Sequence, residues 1–445
     1  MTTNTQQPNS STVETRQIDD LPSFMPYFTD EEGFAAVYPE LFGDAQLGLM
    51  KVEGFGPLKL AVFRNHQLRS LMIHPALTAN TPSAMLSDQA FYSVQADEGK
   101  EEEARYYAGI LARYLQNQVF TLNPPIHRAF RGVLGRHMIG TNVEIFAPIM
   151  RDIVSGLLND VVNKGSIDFI SDFAGLTAAR FWGTLIDLTE QEELRIVELM
   201  HGLLPMFNIM MSHEDLRTAG SAMGEYMAIV AQSVERALAK GDNDLINAIA
   251  ADFAAVDVQV DPTSTDVPPE SVGMLIASNL FDGFHTAGAG AANCVYRLLT
   301  NPSAMTQVRS DRSLVANAAF EGLRLDPPLT LSQRYALEDF EYEGVHVPKG
   351  TQVVMMWGAG NRDPEVYADP DSYSLERSPR GATTFGGGVR MCMGRSVAQL
   401  LIETVIEAVT APGIEIELTS DRYTLLPFSL MRQFDVMPVS ITKRS

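Results

Sequence analysis

A cysteine set in a glycine-rich turn is the most reactive-looking feature of this chain. Cys392 lies in Phe385-Gly386-Gly387-Gly388-Val389-Arg390-Met391-Cys392-Met393-Gly394, just ahead of an apolar run, 397–409, that reads as a helix. The thiolate is the nucleophilic and metal-binding form of cysteine, and nearby positive charge and a helix N-terminus both favour it. Arg390 and Arg395 flank Cys392 in sequence, so the pattern predicts a thiolate. The glycines let backbone N–H groups approach the sulfur and let the loop pass close to a flat ligand. For a lone cysteine, a buried thiol in a turn is the commoner outcome.

Three further spacings could do chemistry. His127 and Arg131 follow Asn123-Pro124-Pro125, which opens a helix. Four residues apart, they share one helical face and suit a carboxylate together. Glu321 and Arg324 put opposite charges three apart, a pattern any surface helix can carry. Asp282-Gly283-Phe284-His285-Thr286-Ala287 gathers a carboxyl, an imidazole and a hydroxyl inside the apolar run 272–299. Of these groups, His285 can titrate near neutral pH.

The elements that must hold these residues are mostly helical. Apolar residues recur at three and four through 146–240, which includes Met200, Met206, Met210, Met211, Met223 and Met227. Residues 58–64 alternate as a strand does, and so do 329–335 and 345–357, whereas 47–51 reads as a loop. Residues 83–103 are irregular, and 257–269 form a connector rich in Pro, Thr and Asp. The run 272–299 carries Asn279, Asp282, His285, Asn293 and Arg297, so it reads as a buried helix and not a membrane span. Gly288-Ala289-Gly290 lacks the third glycine and the preceding strand of a dinucleotide fingerprint.

Composition narrows the function classes. Of 445 residues only Cys294 and Cys392 are cysteines, too few for a disulfide framework or a cysteine zinc site. The formal net charge of −22 argues against nucleic-acid binding, which needs a basic face. The first twenty residues lack the basic start and apolar centre of a signal peptide and read as a flexible tail. A soluble, cytoplasmic protein with no membrane contact is expected, with 21–445 as one domain.

The cysteine loop resembles the haem-ligand loop of the cytochromes P450, Phe-x-x-Gly-x-Arg-x-Cys-x-Gly. Phe385, Gly388, Arg390, Cys392 and Gly394 fill all five specified positions. His127 and Arg131 match the family's His-x-x-x-Arg, and Glu321 and Arg324 its Glu-x-x-Arg. The resemblance spans roughly residues 25–445. It implies a mainly α fold with small β-sheets, a helix-rich triangular prism with a long central helix over the haem. It also implies haem b (iron protoporphyrin IX) bound through Cys392, with His127, Arg131, Arg334 and Arg390 at the propionates. In the family the Glu321–Arg324 pair is buried and braces the segment before the cysteine loop.

The central-helix motif departs from the family pattern, Ala/Gly-Gly-x-Asp/Glu-Thr-Thr. Gly283 and Thr286 match, but Asp282 stands at the small first position, His285 at the acid and Ala287 at the second threonine. By resemblance, Thr286 hydrogen-bonds dioxygen or a nearby water at the haem. His285 could replace the acid as a proton relay, or turn away to bond a neighbouring helix or line the substrate site. Asp282 is another candidate acid. Resemblance also places Leu280, Phe281, Gly283, Leu329, Leu331, Phe428, Leu430, Met206 and Phe207 at the substrate, with 83–94 as a loop over the haem. Their apolar character favours a terpenoid, aromatic or alkyl substrate.

The activity implied is an oxygen-dependent monooxygenase, by hydroxylation or O-dealkylation; a peroxide-driven peroxygenase or a non-catalytic haem protein are the alternatives. No acidic residue falls between Glu376 and Glu403 or between Thr121 and Val143, while seven arginines do: 377, 380, 390 and 395, then 128, 131 and 136. Behind the cysteine, such a basic face would steer an acidic ferredoxin or flavodoxin, fed by an NAD(P)H reductase.

Overall fold

The computed structural model describes residues 15–24, 38–44, 48–53, 58–79, 96–138, 140–208, 211–260, 266–420, 424–425 and 431–443. Eight helices surround the site: α1 (Glu101–Gln116), α2 (Ile126–Met138), α3 (Gly175–Leu185), α4 (Glu190–Leu203), α5 (His213–Lys240), α6 (Val272–Leu299), α7 (Val315–Leu325) and α8 (Arg395–Val409).

Local chemistry sets where they begin. Thr189 and Ser212 open α4 and α5 as capping boxes, accepting from the backbone N–H of Glu192 and Asp215, whose carboxylates reach back. The stretch 146–240 is therefore several helices and not one, and the strand Ser166–Asp168 interrupts it as well. Capping signals outweigh a periodicity that continues across them.

The central helix α6 has the bounds its apolar run predicts, and the Ser271 side chain caps it by accepting from the Met274 N–H. It is buried against α3, α5, α7 and α8, which requires small residues where backbones come close. A Cβ on Gly288 would lie 3.0 Å from the Gly175 Cα, and one on Gly283 2.8 Å from the Trp182 Nε1. Each large apolar side chain that α6 buries contributes about 1.5–3 kcal/mol.

A five-stranded sheet lies beside the helices. Its strands are β1 (Leu49–Lys51), β2 (Leu58–Val62), β3 (Leu77–Thr78), β4 (Ser332–Ala336) and β5 (Gln352–Met355), in the order β1-β2-β5-β4-β3. Only β2 and β5 pair in parallel. Residues 49–51, expected as loop, are a strand because β2 offers them a partner edge. The stretch 345–357 divides into Val345–Val347 and β5, and Trp357 starts a helical turn. Arg16 and Gln17 pair with Val345 and His346, and Ile18–Asp20 form a helical turn, so residues 16–20, expected as part of a flexible tail, are ordered.

Glu321 and Arg324 on α7 are both fully buried, as a bidentate pair at 2.7 and 2.8 Å. Arg324 also donates to the carbonyls of Asn361, Pro370 and Ser372 at 2.9, 2.6 and 3.0 Å. Glu321 accepts from the Ser374 N–H and from Arg377, both at 3.0 Å. One ion pair thus ties down the irregular chain that leads into the cysteine loop.

Candidate active site

The loop around Cys392 is shaped by its own backbone. The Cys392 N–H donates to the Phe385 carbonyl at 3.0 Å and the Gly386 N–H to the Thr383 carbonyl at 2.8 Å. Gly386 and Gly388 adopt φ of +61° and +62°, the left-handed region glycine tolerates best. A Cβ on Gly388 would press to 2.6 Å from Ile73 Cγ2. Gly394 caps α8, and the backbone N–H groups of Gly394 and Arg395 favour the ionised sulfur.

Cys392 keeps accessible surface, yet desolvation dominates its titration and pushes the thiol up to about 11. The sulfur therefore faces an interior gap and not open water. Asp282 opposes its ionisation and Arg131 favours it, so α2, α6 and the cysteine loop border the same gap. The expected thiolate is not a property of the polypeptide alone. Arg390 turns away to the carbonyls of Phe120 and Leu122 at 2.7 and 2.9 Å and to Asn123 Oδ1 at 2.8 Å. Arg395 lies over the Phe385 ring, 6.0 Å from its centroid. A bound metal cation would reverse the balance, since a coordinating thiol is deprotonated outright.

Four cationic or potentially cationic side chains converge beside this gap. Burial lowers His127 to about 4, helped by Arg390, Arg131 and Arg128. Burial, then the repulsion of Arg334, lowers Arg390 to about 10, with Asp266 opposing. Arg334, on β4 opposite Val353, is lowered to about 10 by burial alone. Arg131 is lowered by burial too, and its guanidinium donates to the Met391 carbonyl. His127 Nε2 and Arg334 Nε are buried without a hydrogen-bond partner. So much buried positive charge is costly without anions to match it. A dianionic ligand held above Cys392 would relieve the cost, and the two propionates of haem fit.

On α6 the three polar residues part company. The Asp282 carboxyl accepts from Gln118 Nε2 at 3.3 Å and is also hydrogen-bonded by Tyr114; burial raises it to about 7. The Thr286 hydroxyl donates to the Asp282 carbonyl at 2.5 Å, leaving its oxygen free to accept. His285 stacks near-parallel to Phe207, 5.4 Å between centroids, and to Phe281, at 6.3 Å. Burial holds its imidazole down to about 4, so it is neutral at physiological pH. A proton carrier that must change charge near neutrality fits Asp282 better.

Among the substrate-facing candidates, Phe281 packs against Tyr114, Tyr226, Phe207 and His285. Met206 and Leu280 are buried in the main core, and Leu331 in a second cluster that Phe207 also touches. Leu329 bridges to Met431. At Gly283 the helix backbone packs closely against Trp182 of α3, leaving no room for a Cβ. Phe428, Leu430 and the loop 83–94 lie outside the described residues. Tyr114 and Gln118 escape sequence reading, although their four-residue spacing places both on one face of the chain leaving α1.

The cytochrome P450 family model matches residues 310–409. The 6-deoxyerythronolide B hydroxylase of Saccharopolyspora erythraea is 27% identical over 348 residues, 77% of this chain and 83% of its own. The biotin biosynthesis cytochrome P450 of Bacillus subtilis is 26% identical over 329 residues, 74% of this chain and 81% of its own. This chain belongs to the cytochrome P450 family. P450BioI, solved with an acyl carrier protein ligated to hexadec-9Z-enoic acid, shares the fold of this P450 at a TM-score of 0.74 and 21% identity, over 95% of this chain and 99% of its own. P450 CREJ, solved with (4-ethylphenyl) dihydrogen phosphate, does so at 0.77 and 20%, over 93% and 98%. The protein is thus a P450 monooxygenase, an oxidoreductase whose cofactor is haem b. No helix of this P450, among the described residues, is long and apolar enough to cross a membrane.

Proposed function

We propose that this P450 inserts one atom of O2 into a small or mid-sized, mostly apolar substrate, by hydroxylation or O-dealkylation, in the cytoplasm. The supporting observation is the set of under-compensated cations beside Cys392 in its glycine-bent loop. When bound, haem supplies oxygen activation, and thiolate ligation favours O–O cleavage.

The residues of this chain hold and protect that chemistry. Cys392 would bind the iron, and His127, Arg131, Arg334 and Arg390 the propionates, Arg390 with its donors largely committed to backbone carbonyls. Asp282 holds a proton near neutrality because it is buried, while Tyr114 and Gln118 orient its carboxyl and pull the other way, toward the ionised form. Thr286 offers an acceptor one turn along. The aromatic wall of Phe207 and Phe281 keeps water from the substrate.

The role of Asp282 gives a pH signature. Its acid form is lost as pH rises through about 7, so oxygen-coupled turnover should fall over that range. Asp282→Asn should lower coupling several-fold and flatten the profile. An unchanged profile in the variant would assign the proton elsewhere.

Electrons would arrive at the face behind the cysteine. Arg377 binds Glu321, Arg136 pairs with Asp252, and Arg131 and Arg390 turn inward, so Arg128, Arg380 and Arg395 remain as exposed cations for docking. A peroxide-driven reaction is the second reading, and Asp282 favours it as well, since that route needs a proton-holding group but no donor. Comparing turnover on ferredoxin, reductase and NAD(P)H with turnover on hydrogen peroxide alone separates them. The O2 reading expects product with the donor system and slower reduction at higher salt; product from peroxide alone would reverse it.

A further inference from the structure

A cavity of about 50 Å³ lies where α3, α4 and α6 meet β6 (Phe434–Val436). Ile196, Met200, Leu204, Phe284 and Phe434 make most of its wall. At 10–15 Å³ per water, it holds roughly four waters or one end of a larger molecule. His285 and Gln433 also face it. Gln433 is 5% exposed, and the stacked neighbours of His285 fix its ring in place. The Gln433 amide comes close enough to favour the protonated imidazole, but not in bonding geometry: His285 Nε2 and Gln433 Oε1 are both buried without a partner. Two orphaned polar atoms on one apolar cavity are costly unless something polar enters it.

The lining restricts what that can be. No Lys or Arg lines the cavity, and Asp435 does, so an anionic end such as a fatty-acid carboxylate is disfavoured. His201, the other imidazole on the wall, works against protonation of His285. A hydroxyl suits the pair whichever ring nitrogen carries the proton, because it both donates and accepts. We propose that His285 and Gln433 form a recognition site for a neutral hydroxyl carried by the far end of the substrate. This rests on the reading of the protein as a P450 with a mostly apolar substrate, and assigns His285 to specificity.

The test is calorimetric binding to the haem-loaded protein of matched pairs: cyclohexanol and cyclohexane, phenylethanol and ethylbenzene, menthol and menthane. At least one alcohol should bind about tenfold tighter than its hydrocarbon, the worth of one or two net hydrogen bonds. Gln433→Met, which keeps the side-chain volume, should bring that ratio close to one while hydrocarbon affinity holds. His285→Leu should also abolish the preference. If no alcohol is preferred, the cavity holds water only and the proposal fails; a preference that survives Gln433→Met overturns it too. Failure of the underlying P450 reading would look different, as a reduced carbon-monoxide adduct without the Soret band of thiolate ligation, whatever the ligand.

Discussion

Replacing Cys392 with serine should leave a folded chain whose reduced carbon-monoxide adduct lacks the thiolate Soret band and whose turnover drops to background. The fold should survive because the loop is held by backbone bonds, from Cys392 to Phe385 and from Gly386 to Thr383, that serine can keep. The sulfur is hydrogen-bonded by the backbone N–H groups of Gly394 and Arg395, and a serine oxygen can accept from both. What disappears is the electron-rich ligand that favours O–O cleavage, which a serine oxygen does not replace. Absorption spectra of the reduced carbon-monoxide complex, with circular dichroism as the folding control, decide the matter. A serine variant that keeps the wild-type band would remove Cys392 from the iron.

Glu321→Ala should lower stability by about 3–5 kcal/mol, because it strands a buried arginine charge. Arg324 is fully buried and has no second carboxylate among its described partners, which are otherwise backbone carbonyls and the Tyr367 ring, 5.0 Å from the guanidinium carbon. Arg377 and the Ser374 N–H lose their acceptor in the same step. The segment ahead of the cysteine loop is thereby freed, so haem retention should fall along with the urea midpoint. Glu321→Gln, which keeps an acceptor oxygen, should cost less. A stability within about 0.5 kcal/mol of wild type, the range of an ordinary surface change, would mean the pair is not the brace its contacts describe.

Much of the site was legible because it is local. The glycines that bend the cysteine loop and the apolar run of α6 act over a few residues, and each left a readable trace. Glu321 and Arg324 were legible as a spacing, but whether the pair was surface or core was not. Burial depends on α7 meeting chain 37 to 48 positions later, a contact no spacing records.

Other expectations turned on the same distant contacts. Arg390 is a neighbour of Cys392 in sequence but donates to the carbonyls of Phe120 and Leu122, and desolvation, which no spacing records, raises the thiol until a metal cation binds it. His285 occupies an acid position but is stacked among aromatic rings, while Asp282 collects its partners from a helix some 160 positions earlier. Residues 49–51 became a strand only because β2 lay alongside.

By itself, then, the order of residues determined the backbone bends, the helix starts, the helical bulk and the kind of cofactor the cysteine loop suits. Tertiary structure decided which charges face that cofactor, which carboxyl holds a proton near neutral pH and which polar atoms are left facing a cavity. Those outcomes turn on desolvation and on hydrogen-bond partners brought from distant segments, and neither exists until the chain has packed.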